Sequence, residues 1–175
     1  LYGSPLLRAW QTAAPLSQAT GIEPQARPEL REMFFGDAEG LTAAELQARF
    51  PEVYAAARDL SNLDFAWPNG ERRGAFFQRV KQAIDGLVQS PEGTLAIVTH
   101  GGVISGYLAQ AIGGSPNTWL EYSVSNCSVS ELVVEDGHLE LVSLGDTSFL
   151  KPLEELTAET WGVREQAVED VVPRR

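Results

Sequence analysis

The apolar positions of this chain change period several times, and each change marks an element. Leu6, Leu7, Trp10, Ala13 and Ala14 recur at helical spacing behind Ser4-Pro5, a pair suited to an N-cap and a first helical position, and Gly21 closes the segment. From Ile22 to Asp37 the pattern is irregular and broken by two prolines. Thr42 and Glu45 have the spacing of a capping box for a second helix to about Phe50, and Pro51 restarts an Ala-rich helix to about Asp59. Asn, Asp, Pro and Gly between Ser61 and Gly70 predict a loop. From about Glu71 to Gln89, Phe76, Phe77, Val80, Ile84, Leu87 and Val88 share one helical face. Leu95 to Thr99 reads as a central buried strand, which runs through His100-Gly101-Gly102 into a helix from about Val103 to Ile112.

The C-terminal third switches to alternation. Ser128 to Glu135 and His138 to Leu144 predict two strands around the hairpin turn Asp136-Gly137. Residues 153–175 are charged and read as a helix or a peripheral tail. Strands alternating with helices predict an α/β fold: a three-layer sandwich with a mostly parallel, mixed sheet flanked by helices, in one domain over residues 1–152.

Composition narrows the partners. At 43% hydrophobic and 21% charged, the 175 residues belong to an ordinary globular protein, with no apolar run long enough for a membrane helix. A net charge of −11 argues against nucleic acid or an anionic membrane as main partner, though a few arginines can still hold a small anion. The one cysteine, Cys127, cannot form an internal disulfide, so a cytoplasmic location is expected. Its small and apolar neighbours on a strand make it a core residue rather than a nucleophile. Position 1 is not Met, and Leu1-Tyr2 reads as the tail of an apolar strand; the sequence is expected to start inside a longer protein.

Three residues stand out for chemistry. His100 places a hydrogen-bonding ring beside the free N–H groups of a helix N-terminus, where anions bind; alternatively it is a satisfied core histidine. Arg8 sits in a first helical turn, which the helix dipole disfavours unless an anion lies between, or unless the side chain is simply solvated. Glu32 lies among Leu30, Met33, Phe34 and Phe35, company that raises a carboxyl pKa and suits a general acid; the other reading is a loop acceptor. There is no Gly-x-Ser-x-Gly elbow and no phosphate-binding Gly-x-x-x-x-Gly-Lys or Gly-x-Gly-x-x-Gly loop.

Taken in order, the motifs are more specific than any one alone. Ser4-Pro5-Leu6-Leu7-Arg8-Ala9, Glu32 through Gly36 to Glu39-Gly40, Pro68-Asn69-Gly70-Glu71 followed by Phe77 and Arg79, Val98-Thr99-His100-Gly101-Gly102, and Asn126-Cys127-Ser128 together resemble the histidine phosphatase superfamily, which is phosphoglycerate mutase-like. The resemblance covers about Leu1 to Leu150. It implies a phosphomonoester hydrolase working through a phosphohistidine, without metal or cofactor, on a phosphorylated small molecule. Arg8, His100 and Gly101 would bind the phosphoryl group, His100 as a charged donor. Glu32 and His100 would be the catalytic residues present, with Phe35, Trp67 and Glu71 in the substrate pocket and Phe34 and Phe65 completing an apolar wall.

The chain departs from the family pattern in one essential respect. The nucleophilic histidine of the Arg-His-Gly motif is absent, and the first βα unit that carries it is missing from the domain at 1–152. The nucleophile is expected upstream of residue 1, and this chain alone is expected to be inactive. Ala38 replaces a frequent tryptophan and is expected to widen the pocket mouth; Ser105 replaces a frequent arginine and is expected to weaken phosphate binding or an ion pair. Two other functions stay open. One is a phosphoglycerate mutase, disfavoured by the short stretch between Glu32 and Gly70. The other is a non-catalytic module that binds phosphate or a partner. Oligomeric state leaves no mark.

Overall fold

The computed structural model describes residues 1–89, 93–135 and 137–150. Asp136 and the charged stretch 153–175 lie outside them. The fold is α/β, a mostly parallel sheet flanked by helices. Strand β1 (Tyr2–Gly3) sits between β2 (Gln25–Ala26) and β3 (Ile97–Val98), parallel to both. Tyr2 is level with Gln25 and Ile97, and Gly3 with Ala26 and Val98. The strand around Ile97 is shorter than the five residues expected. Its pairing nonetheless extends through Tyr2 N–H to Ala96 O at 2.8 Å and Ser4 N–H to Val98 O at 2.9 Å. That second bond matters, because it brings Ser4 alongside the residues that follow β3.

Side chains alternate across a strand, and β1 uses the alternation to separate two helical layers. Tyr2 joins the core of Phe76, Phe77, Val80, Ile84, Val103, Tyr107 and Leu108, supplied by α4 (Arg73–Val88) and α5 (Gly101–Ala111). The neighbouring Gly3 leaves room on the other face for the Trp10 ring of α1 (Leu7–Thr20), 3.7 Å from where a Cβ would stand. Phe76, Phe77, Val80, Ile84 and Leu87 are all buried, as the apolar stripe requires, each worth roughly 1.5–3 kcal/mol of apolar transfer.

Several boundaries differ for physical reasons. Helix α1 starts at Leu7, not Pro5, and its N-cap Leu6 offers no side-chain cap. The Ser4 hydroxyl instead accepts the Leu6 N–H at 3.3 Å and points to a distant partner. Between β2 and α4, helix α2 (Ala43–Arg49) opens with the expected capping box, Thr42 and Glu45 each bonding the other's backbone N–H. Helix α3 (Pro51–Ala57) follows at once. The loop after it is closed by Arg73, which is 6% exposed and donates to the carbonyls of Ala57, Asp59 and Asn62.

The hairpin forms as β4 (Val129–Glu135) and β5 (His138–Asp146), with Glu135 opposite His138. It pairs with itself and not with the parallel strands, so the mixed sheet is in two pieces among the described residues. There β3 has a strand on one edge only. Cys127 is not a core residue: it is exposed, at a φ of 59° in the turn before β4. The positive φ takes it off the strand path that its neighbours implied.

Candidate active site

The sequence around β3 ends in a residue that caps a helix without bonding to it. His100 is the N-cap of α5, and its ring makes no cap hydrogen bond. Its Nε2 lies 2.8 Å from Ser4 Oγ, a contact made possible by the β1–β3 pairing. Ser4 is fully buried and His100 only 7% exposed. Burial, with the charge of Arg8 adding to it, pushes the His100 pKa down to about 4. The resting ring is therefore neutral near pH 7, not the charged donor expected from the sequence.

Glu32 reaches the same helix end. Its Oε1 accepts the Met33 N–H at 2.8 Å and its Oε2 accepts the Gly102 N–H at 3.0 Å. The apolar company inferred for it is redistributed: Leu30 turns into the core, Phe34 and Phe35 turn outward, and the carboxylate meets two backbone donors. The second of them belongs to a helix N-terminus, where free N–H groups and the dipole both favour an anion. Gly102 makes the approach possible, because a Cβ there would stand 2.3 Å from Glu32 Oε1.

A clasp holds the Glu32 loop in place. Arg79 of α4 pairs with Glu71 through two bonds, Nε to Oε1 at 2.9 Å and Nη2 to Oε2 at 2.7 Å. Its Nη1 donates to the carbonyls of Glu29 and Arg31, at 2.6 and 3.0 Å, on either side of Leu30. One planar guanidinium thus ties α4, the segment before Glu32 and the Glu71 loop together. Farther along the loop, Gly36 has a φ of 56° and packs so tightly that a Cβ would lie 2.2 Å from the Pro68 carbonyl.

These groups surround a cavity of about 610 Å³ lined by Leu6, Arg8, Arg31, Glu32, Met33, Phe34, Glu39, Glu71 and Arg79. Arg79 is neutralised by Glu71, whereas Arg8 and Arg31 have no carboxylate partner among the described residues. Of the predicted residues, Arg8, Glu32, Glu71 and the wall residue Phe34 line the cavity. His100 and Gly101 are not in the lining; Gly101 is exposed, and it is the Gly102 N–H that meets the Glu32 carboxylate. Phe35 and Trp67 do not line it. Trp67 packs edge-on against Phe65, with centroids 5.4 Å apart, and Phe65 is buried under the Arg73 guanidinium. The apolar lining is the expected Phe34 with Leu6 and Met33. A smaller cavity of about 290 Å³ beside α4 holds none of the predicted site residues.

The family model of the histidine phosphatase superfamily (branch 1) matches residues 1–147. The chain belongs to that superfamily. This histidine phosphatase superfamily chain is 31% identical to the α-ribazole phosphatase of Shigella flexneri, with a TM-score of 0.74 over 83% of this chain and 72% of that one. It is 30% identical to the glucosyl-3-phosphoglycerate phosphatase of Mycobacterium tuberculosis, across 70% of this chain and 63% of that relative. The mycobacterial enzyme solved with inorganic phosphate superimposes with a TM-score of 0.73 at 25% identity, covering 86% of this chain and 78% of that one. The chain thus spans under two thirds of its mycobacterial curated relative.

Two positions depart from the family pattern. Ser105 is 2% exposed in α5 and donates to the Gly101 carbonyl one helical turn back. Ala38 is buried and is absent from the lining. Arg31 escaped the sequence reading altogether, whereas Ser4, Gly102 and Arg79 stood in the motifs without these contacts assigned to them. For Arg79 the signal was its place in one motif with Glu71, eight positions before it.

Proposed function

We propose that this chain carries the phosphoryl-binding and proton-transferring half of a phosphomonoester hydrolase that works through a phosphohistidine. The observation that carries the reading is that Arg8 and Glu32 line one cavity, with the Glu32 carboxylate bonded to the N-terminus of α5, the helix that His100 caps. Arg8 presents a guanidinium fork to phosphoryl oxygens and neutralises charge there without a metal ion. His100 donates to the same oxygens. Glu32, once protonated, gives its proton to the alkoxide that departs as the P–O bond breaks, and later takes one from the water that attacks phosphorus.

The attacking nitrogen is a histidine from outside these 175 residues. His138, the other histidine here, is exposed in the hairpin and away from the site. The edge of β3 opposite β1 carries no strand among the described residues, and a strand added there would end beside His100. The substrate is a phosphorylated small molecule, since Arg8 and Arg31 favour an anion while 610 Å³ suits a small ligand. Both named relatives are phosphatases of such molecules by name. We place the protein in the cytoplasm, in keeping with its single cysteine. No described helix is long and apolar enough to cross a membrane.

A full-length protein should release inorganic phosphate from p-nitrophenyl phosphate and acquire an acid-labile label on histidine. The 175-residue chain should do neither, because removing the nucleophile leaves only binding and electrostatic assistance. Full-length protein that binds phosphate without turnover would make this a binding module. Isomerised phosphoglycerate in place of inorganic phosphate would make it a mutase.

A further inference from the structure

A buried hydroxyl proton must go somewhere, and at Ser4 the choices are few. Ser4 is fully buried, and its Oγ has two partners among the described residues: the Leu6 N–H at 3.3 Å and His100 Nε2 at 2.8 Å. The first is a donor and cannot accept. Burying a hydroxyl with its proton unpaired costs about 1–3 kcal/mol, so the proton is aimed at the only remaining atom, the ring nitrogen. We propose that Ser4 is a positioning residue that donates to His100 Nε2, fixes the neutral ring in its Nδ1–H tautomer, and leaves Nδ1 as the one ring donor for a phosphoryl oxygen.

The surroundings of the ring agree. Nδ1 has no partner among the described residues, and the only fully buried polar side-chain atom there without a partner is Trp119 Nε1, so Nδ1 reaches solvent. The charged groups near the ring are Arg8 from α1, which opposes a second ring proton, and the Glu32 carboxylate, held off by Gly102 N–H. The register of β1 on β3 sets the Ser4 distance, so the ring orientation is built into the sheet and precedes any ligand. A ring held this way needs no rotation when an anion arrives, which is the advantage of preorganised donors. The same bond explains why Pro5 does not open α1: Ser4 is committed to the histidine rather than to the helix.

The test uses imidazole nitrogen NMR on the chain as it stands, where only His100 and His138 contribute and exposed His138 serves as internal reference. At neutral pH His100 should show a protonated Nδ1 and a bare Nε2. Ser4→Ala should abolish that single-tautomer signature and return the ring to a mixture resembling His138, while Ser4→Thr, which keeps the hydroxyl, should restore it. A protonated Nε2 in the unsubstituted chain would overturn the assignment without any variant having to fold. An unchanged tautomer in Ser4→Ala would do the same. The inference rests on the phosphatase reading only for its purpose, and titration with inorganic phosphate separates the two. A tautomer as stated with no phosphate response at Nδ1 removes the phosphoryl role and leaves the Ser4 bond. A phosphate response on an Nε2–H ring removes the Ser4 role and leaves the binding site.

Discussion

The floor of the cavity and its rim are built in opposite ways. At the floor, Ser4 is fully buried, His100 nearly so, and Glu32 is held by two backbone donors at a helix end. At the rim, Phe34 is 57% exposed and Phe35 37%, and Arg31 reaches into solvent. Each floor group is fixed by strand register or backbone, whereas the rim side chains hang from a loop. Reaction geometry tolerates little displacement, but a pocket mouth must adapt to whatever leaving group it meets. Substitutions at the floor should therefore cost activity, and substitutions at the rim should change preference.

The sharpest break would come at Gly102. A glycine-to-alanine change in a helix ordinarily stabilises by about 0.4–1 kcal/mol. Here the added Cβ would lie 2.3 Å from Glu32 Oε1, and the flexible carboxylate, not the backbone, would have to move. Gly102→Ala should cut phosphomonoester turnover of the full-length protein by about 10²-fold or more, the usual weight of a positioned acid, with urea stability held or slightly raised. Undiminished turnover would mean that the floor is as loose as the rim.

Next comes Arg73, which fixes the loop after α3 outside the cavity lining. The Arg73 guanidinium donates to three carbonyls between Ala57 and Asn62, and burial pulls its pKa below the ordinary arginine value. Arg73→Ala strands those carbonyls and should lower unfolding stability by roughly 2–4 kcal/mol in urea melts. If the loss is that large, a surface loop away from the cavity is held as firmly as the floor. A change under ~0.5 kcal/mol would place the anchor elsewhere.

The sequence spoke most clearly where structure is local. The α4 stripe, the Thr42–Glu45 box and the passage from strand through His100-Gly101-Gly102 into α5 all depend on neighbours a few residues away. The floor contacts do not. Ser4 and His100 are 96 positions apart, and Glu32 and Gly102 are 70 apart, so both depend on which strand lies beside β1. Reading Ser4-Pro5 as a helix start was reasonable from local chemistry, and it failed because a tertiary bond took the hydroxyl. Trp67 was placed in the pocket because aromatic residues suit one; nothing in its neighbours says that it turns to Phe65 instead.

The floor should also reveal itself through pH. His100 titrates near 4 when folded, against 6.5 for an ordinary histidine. Between those values the unfolded chain binds the proton that the folded one refuses, so stability is complete above about pH 6.5 and falls toward pH 4. The loss from this one group should be on the order of 2 kcal/mol, at about 1.4 kcal/mol per pH unit of separation before solvent relaxation reduces it. His100→Asn should flatten that part of the curve. An unchanged slope would mean that the ring is hydrated, and that the floor is less closed than its 7% exposure implies.

The rim gives the smallest effect in stability and the clearest one in preference. Phe34 is among the most exposed large apolar residues of the chain, and its ring lines the cavity without belonging to the core. Phe34→Ala should therefore leave unfolding stability within about 0.5 kcal/mol, as surface changes do. Its backbone stays in place, because the Phe34 carbonyl accepts from Glu71 N–H at 2.7 Å whatever the side chain. Removing the ring strips apolar contact from the leaving group but not from the phosphoryl group, so KM should rise several-fold for aromatic or long-chain phosphomonoesters. For small polar ones it should stay nearly constant, with kcat unchanged in both cases. A fall in kcat shared by all substrates would show that Phe34 supports Glu32 directly, and the boundary between floor and rim would then run on the solvent side of that ring.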